Sequence, residues 1–183
     1  VTSKIYPRTI PDFPEASDDR KKLFQLVRDL PFRTATRGSN KPSDITNLVF
    51  IGPPEGLKRA FDAAGWVVVD PLTAGSGFMT MKTLGGNEVY NQAPMSTLLL
   101  DERPPVLTLT KTTNTFASRH HLRVFDPIIT FDGMTVLTSS STQDVRVAFS
   151  YKQKTFIHVI DEFIDNERSK VVNDLAFTGC VEA

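Results

Sequence analysis

Two of the three histidines in this chain are neighbours, in the run Arg119-His120-His121-Leu122-Arg123-Val124-Phe125, and arginines flank them at strand spacing. Imidazole titrates near neutrality, so it can move a proton at working pH, and its cation can hold an oxyanion. Guanidinium adds paired donors that fit carboxylate or phosphate. β-branched and aromatic neighbours make the run a strand, in which successive side chains face opposite ways. His121 therefore shares a face with Arg119 and Arg123, and His120 shares the other with Leu122 and Val124. The first face reads as a pocket wall, the second as a packed side holding a satisfied histidine.

The partner strand follows from Asp132-Gly133, a preferred type I′ turn sequence between two β-rich runs. Counting outward sets Phe131 opposite Met134, Ile129 opposite Val136, Phe125 opposite Ser140, Arg123 opposite Thr142 and His121 opposite Asp144. Opposed residues share a face, so His121 gains a carboxylate able to orient it as a base or to stabilise its cation. Asp126-Pro127 interrupts the count, and one extra residue there exchanges the roles of His120 and His121. A second hairpin through "SYKQKT" pairs Phe149 with Thr155 and sets His158 opposite Arg146. On that register Arg119, His121, Arg123, Arg146 and His158 surround Asp144, which suits a phosphate or carboxylate ligand.

Other patterns carry less chemistry. No H-E-x-x-H spacing is present, His158 and Asp161 face apart on a strand, and no metal site is assigned. Asp161, Glu162, Asp165 and Glu167 read as helix-entry acids at a positive helix end, with Arg168 placed to pair with an acid or join the anion site. "GSGF" and "LGGNE" lack the Walker lysine and the GxGxxG spacing of nucleotide sites. Ser139, Ser140 and Ser141 lack a nucleophile elbow, and no cofactor is assigned.

The elements that must position these residues make an α+β fold, a mostly antiparallel sheet with about three helices packed on it. Residues 1–15, with three prolines, read as an extended arm, and 16–183 as a single domain. A helix is expected over 16–29 behind an N-cap at Ser17, a polar loop from Phe32 to Asp44, then a strand, helix and strand through "ITNLVFIG", "PPEGLKRAFDAAG" and "WVVVD". Short connections leave either a tight crossover or a split unit for these. "GFMTMKTLGG" could hold a short helix, and seven β-rich runs follow from Ser96 to Ile160. A last helix, capped by Asp165, turns Val171, Val172 and Leu175 inward and stops at Gly179.

The totals set bounds on partners. The 183 residues carry 21 basic and 21 acidic side chains, so no global field draws the chain to nucleic acid or to an anionic membrane surface. One cysteine, Cys180, rules out an internal disulfide and a multi-thiolate metal site. The longest apolar runs fall far short of the roughly 20 residues of a membrane-spanning helix.

Taken together, "NLVFIG", "LKRAFDAAGWVVVDPLT", "RHHLRVF" and "IHVIDEFIDNERSKVVNDLAFTG" resemble the LssY C-terminal domain family of bacterial proteins over residues 30–181. The shared pattern falls on Trp66, Asp70, Arg119, His120, His121, Arg123, His158, Asp161, Asp165, Glu167 and Arg168. In some members the domain resembles a soluble appendage behind membrane segments, which implies work near a membrane or cell envelope on a phosphorylated or lipid-derived small molecule. The leading expectation is anionic-ligand binding by Arg119, His120, Arg123, Arg146, Asp161 and Arg168. A first alternative is a hydrolase such as a phosphoesterase using His121, Asp144 and His158, and a second is a structural or partner-binding module.

Overall fold

The computed structural model describes residues 18–69, 98–112, 119–150 and 155–182, of which 145–150 and 155–159 are described through their strand pairing alone. In chain order the elements are α1 (Asp18–Asp29), β1 (Arg33–Thr36), β2 (Pro42–Ile45), β3 (Leu48–Ile51), α2 (Pro54–Ala63), β4 (Val67–Val68), β5 (Leu98–Leu99), β6 (Leu107–Thr112), β7 (Arg119–Phe131), β8 (Met134–Ser150), β9 (Thr155–Ile160) and α3 (Ile164–Phe177). This is the expected α+β class. The helix α1 belongs to a unit ending at Pro31, with acids in its first turn and Arg28 in its last. Phe32–Ala183 forms the second unit and holds every described strand. The expected arm, the Ser17 cap and the short helix near "GFMTMKTLGG" lie outside the described residues.

The stretch read as a polar loop contains β1 and β2, an antiparallel pair joined through Gly38 and Asn40 at positive φ. Its polar residues hid the alternation, because these strands sit in a small three-stranded sheet, β2-β1-β5, with few apolar positions. The larger sheet runs β3-β8-β7-β6-β4, with β9 also paired to β8. The seven β-rich runs merge into five strands, since "HHLRVF" and "IITF" are continuous in β7, and "MTVLTSS" and "VRVAFS" in β8.

The strand–helix–strand unit is split. Three strands lie between β3 and β4, and successive antiparallel pairings make the two run parallel. A gap of four strand spacings is about 19 Å. The ten residues of α2 supply about 15 Å of helix across one face, and the flanking turns supply the rest. Pro54 begins the helix where its missing N–H costs nothing, and Gly65 leaves it at φ 77°.

The Asp132-Gly133 turn forms as its sequence requires, with φ of 48° and 77°, the pair of left-handed residues of a type I′ turn. Phe131 pairs with Met134 and Ile129 with Val136 as counted. Between the Ile129–Val136 and Phe125–Thr138 pairs, β7 then spends three residues against one on β8. The irregularity adds two residues rather than one. Pro127 has no N–H for the ladder, the Asp126 carboxylate accepts the Ile128 N–H at 2.7 Å, and Ile128 sits at φ 59° with its side chain outward. An even shift moves every pair beyond Phe125 along the strand yet leaves each side chain on its expected face.

The helix-side face of the sheet supplies Leu48, Leu109, Leu122, Val124 and Leu137 to one core with Leu57, Ala60 and Phe61 of α2 and Val171 and Leu175 of α3. Trp66, expected as core, joins them and stacks edge-on to Phe61. Its indole N–H donates to Asp174 of α3 at 3.1 Å, and Lys111 of β6 and Lys170 donate to the same oxygen at 2.9 and 2.8 Å. One carboxylate thus ties the sheet, the turn after α2 and α3. Burial alone pushes the Asp174 carboxyl up, but the hydrogen bonds and charges of Lys170 and Lys111 together hold it below the ordinary value.

A depressed folded-state value stabilises above the unfolded value of about 3.9 and loses that contribution as pH falls through the folded one. The wild type should therefore lose stability on acidification through this carboxylate, whereas Asp174→Asn should be weaker by about 1 to 3 kcal/mol at neutral pH and show a flatter acid limb. Chemical denaturation followed across pH tests this, and equal acid limbs for the two proteins would refute it.

Candidate functional site

The tight turn and the even bulge decide what stands beside His121. Its direct partner is Thr142, not Asp144, and Asp144 stands opposite Arg119; Arg123 pairs with Ser140 and Phe125 with Thr138. Each correction is the same two-residue displacement caused by the bulge. Because the face is conserved, Asp144 is now the diagonal neighbour of His121 and still within side-chain reach. His121 Nε2 lies 2.8 Å from Asp144 Oδ2. An ionised carboxylate only accepts, so Nε2 carries the hydrogen and Nδ1 is left to the rest of the site.

Arg123, two residues along the same face, donates from Nη1 to Asp44 Oδ2 of β2 at 3.3 Å. This pair brings the small sheet to the polar face of the large one. Burial pulls the Arg123 guanidinium below its ordinary value, against the opposing pull of Asp44 and Asp144. His121 is 9% exposed, Arg123 7% and Asp144 5%, so the face is enclosed rather than lying open in a cleft. Three further atoms on it, His121 Nδ1, Ser140 Oγ and Thr138 Oγ1, are buried with no hydrogen-bond partner among the described residues. Unpaired buried polar atoms are uncommon in folded proteins, and each costs about 1 to 3 kcal/mol of desolvation.

His120 turns to the helix side, as parity predicts. Its Nδ1 meets Glu167 Oε2 of α3 at 2.7 Å, with both side chains buried, and its ring lies 6.2 Å from that of Trp66. Glu167 is therefore not a capping acid. It falls one turn into α3 on the inward stripe with Val171, and its depth follows from that periodicity. Asp165 does not cap either: the N-cap position is Phe163, and Asp165 pairs with Arg168 at 3.0 Å on the surface. Asp161 shapes the entry, accepting the Phe163 N–H at 2.9 Å. Arg168 is thus engaged on the surface, and Asp161, whose N–H donates to the Gln143 carbonyl at 2.9 Å, turns its carboxylate to the helix entry.

In the second hairpin Phe149 pairs with Phe156 rather than Thr155, and His158 pairs with Val147 while Arg146 pairs with Val159. A register irregularity between Asp144 and Arg146 separates that strand half from the site's own count. The expected opposition of His158 and Arg146 is lost by one residue. Among the described residues no group of three or more His, Cys, Asp or Glu is placed to hold a metal ion.

Two residues that serve this region were not singled out from the sequence. Asp44 lay in the stretch read as loop, and only the folding of the small sheet onto the large one brings it to Arg123. Asn47 uses its side-chain amide to donate to the Ser141 carbonyl and accept the Ser141 N–H, both at 3.0 Å, continuing the β8 ladder between β3 and β9. An asparagine just before a strand is the available signal, but turns use the same residue.

The buried His120–Glu167 pair invites a direct test of its structural role. His120→Leu should cost about 3 to 5 kcal/mol by leaving Glu167 buried without its partner, and adding Glu167→Leu should recover a large part of the loss. Denaturant unfolding of the single and double variants measures this; a double variant no more stable than the single one would refute it.

No curated protein and no solved structure matches the chain. A family model described as the LssY C-terminus matches residues 25–183, which include every described strand, the His121–Asp144 and Arg123–Asp44 pairs and the His120–Glu167 tie. That match spans most of the sequence and agrees with the segments on which the resemblance rested, so the chain belongs to the LssY C-terminal family.

Proposed function

We propose that the polar face of β7 and β8 binds a small oxyanion, phosphate or a phosphorylated head group, through Arg123, His121 and Arg119. The observation that carries this reading is a buried arginine on the same face as three buried polar atoms without described partners, His121 Nδ1, Ser140 Oγ and Thr138 Oγ1; Ser139 Oγ, Ser141 Oγ and Glu167 Oε1, on the helix side, also lack described partners. An oxyanion satisfies hydroxyl and N–H donors together and restores hydrogen bonds that burial removed. With Asp144 on Nε2, a protonated His121 offers its second N–H to the ligand, and Asp144 offsets part of the added charge. Arg119, half-buried at the far end of the face, extends the positive rim. The resemblance to domains found behind membrane segments extends the proposal to a lipid-derived phosphate near the cell envelope. No described helix is long and apolar enough to cross a membrane.

A second reading rests on one feature of the same geometry. His121 has one ring nitrogen held by a carboxylate and the other without a described partner, the arrangement of an oriented general base, with Arg123 near to stabilise developing negative charge. In that case the bound phosphoester would be hydrolysed.

Calorimetric titration with inorganic phosphate, with glycerol phosphate and with vesicles containing phosphatidic acid separates the sources. Binding in all three arms marks recognition of the phosphate itself, and binding to vesicles alone marks the lipid. His121→Asn and Arg123→Lys should each weaken binding at least tenfold, about 1.4 kcal/mol, in proteins that still unfold cooperatively. A generic phosphoester assay on the same samples tests the second reading, which requires turnover that falls about a hundredfold or more in His121→Asn. Absence of binding in every arm would leave the cluster a structural tie between sheets and refute the proposal.

A further inference from the structure

Asp44 lies where the register of β1 against β2 shifts. Between the Arg33–Ile45 and Ala35–Pro42 pairs, β1 spends Thr34 alone and β2 spends Ser43 and Asp44. A bulge of this kind re-aims the side chains of its extra residues. Here the carboxylate of one of them reaches Arg123 Nη1 at 3.3 Å, with the Arg123 and Asp44 side chains 9% and 11% exposed. The backbone around it is tied down. The Thr34 hydroxyl donates to the Asp44 carbonyl at 2.8 Å, the Thr46 N–H to the Phe32 carbonyl at 2.9 Å, and the Asn47 N–H to the Ser139 carbonyl of β8 at 2.9 Å. The carboxylate is held less closely: its described bonds are one of 3.3 Å from Arg123 and one of 3.2 Å from Ser43 Oγ. Both exceed about 2.9 Å, the upper end for charge-assisted pairs.

The described charges on the polar face already balance. Arg119 and Arg123 supply two positive charges, and Asp144 and Asp44 supply two negative ones. An oxyanion added to so enclosed a face, while both carboxylates stay in place, brings the cost of a buried charge without its own partner. A protonated His121 offsets only part of a phosphate's charge. One carboxylate has to give way, and the two are not equivalent. Asp144 is 5% exposed and lies 2.8 Å from His121 Nε2, so its departure orphans the imidazole it orients. Asp44 comes from the other sheet on a longer bond, and rotation of its side chain alone withdraws it while β2 keeps its backbone ties.

We propose that Asp44 is an internal competitor for the oxyanion site, a carboxylate from the smaller sheet that holds the Arg123 guanidinium until phosphate or a phosphorylated ligand displaces it. The proposal rests on the oxyanion reading above and adds its regulation, since one guanidinium receives the two anions in turn. Carboxylate and phosphate oxygens accept from guanidinium in the same way, so exchanging one for the other keeps Arg123 paired and leaves no buried charge alone. The exchange also sets a threshold. Observed affinity is the intrinsic affinity reduced by the fraction of molecules in which Asp44 has withdrawn, so the site responds only to a ligand that repays the broken pair. A phosphate does so through several oxygens, which reach Arg123 and the neighbouring hydroxyls together.

Calorimetric titration of the wild type and of Asp44→Asn with inorganic phosphate tests the proposal. Asparagine keeps the shape of the side chain without its charge, so Asp44→Asn should bind phosphate at least tenfold more tightly than the wild type. Without phosphate its stability should fall, because Arg123 loses its partner, and added phosphate should stabilise it more than it stabilises the wild type. Binding by Asp44→Asn alone is the extreme form of the expected result. Equal or weaker binding by Asp44→Asn, beside a wild type that binds, would overturn the competitor and leave the oxyanion site standing. No binding by either protein would overturn both. A crystal structure of the wild type grown in phosphate gives a second readout, which decides the question should Asp44→Asn fail to fold. A phosphate oxygen on Arg123 with the Asp44 carboxylate turned away is expected, and an intact Arg123–Asp44 pair would overturn the proposal.

Discussion

The parity of the interruption in β7 is the constraint on which the rest of this structure depends. Every residue of a strand is committed to one face by its distance from the turn, and one inserted residue reverses all of those commitments at once. The Asp126-Pro127-Ile128 irregularity adds two. His121, Arg123 and Arg119 therefore stay with Thr142, Ser140 and Asp144, while Leu122 and Val124 stay with the core. The local strain of a β-branched residue at φ 59° is borne by an exposed side chain and offset by the Asp126 hydrogen bond. An odd insertion would place Arg123 among the leucines beneath α2, and no core of this composition would accept it.

The two adjacent histidines consequently work on opposite sides of one strand, each against a carboxylate from a different element. His120 meets Glu167 and locks α3 to the sheet, next to the Asp174 junction that draws in Trp66 and Lys111. His121 meets Asp144 within the sheet itself, and Arg123 meets Asp44 from the smaller one. The helix side is closed by apolar packing around the buried His120–Glu167 tie. The other side holds charged pairs and hydroxyls in an enclosed space, and buried polar atoms without described partners occur on both faces.

Much of this was legible from residue types. The Asp132-Gly133 turn, the opposite facing of His120 and His121, the start of α2 at its prolines, the helix stop at Gly179 and the core role of Trp66 follow from local stereochemistry and period, whereas the parity at Pro127 that assigns each histidine its face does not. The pairing of His121 with Asp144 was anticipated as a direct opposition and occurs as a diagonal one, because side-chain reach tolerates a displacement that backbone counting does not. Glu167 was misread because an acid in the first turn of a helix suits the dipole, and that local preference conceals an inward position. The strands β1 and β2 were misread because short polar strands carry no hydrophobic alternation.

By itself the sequence determined the family, the α+β class, the central hairpin and that the two adjacent histidines face opposite ways, since turn chemistry and strand period act over a few residues. Tertiary structure alone decided that three residues oppose one at Pro127, that β3 and β4 lie at opposite edges with α2 spanning between them, and that Asp44 and Glu167 are the carboxylates received by Arg123 and His120. These are pairings across 79 and 47 residues of chain, respectively. Nothing in local propensity selects such partners. They are chosen when buried charges must find compensation among whatever groups the packed sheets and helices bring within reach.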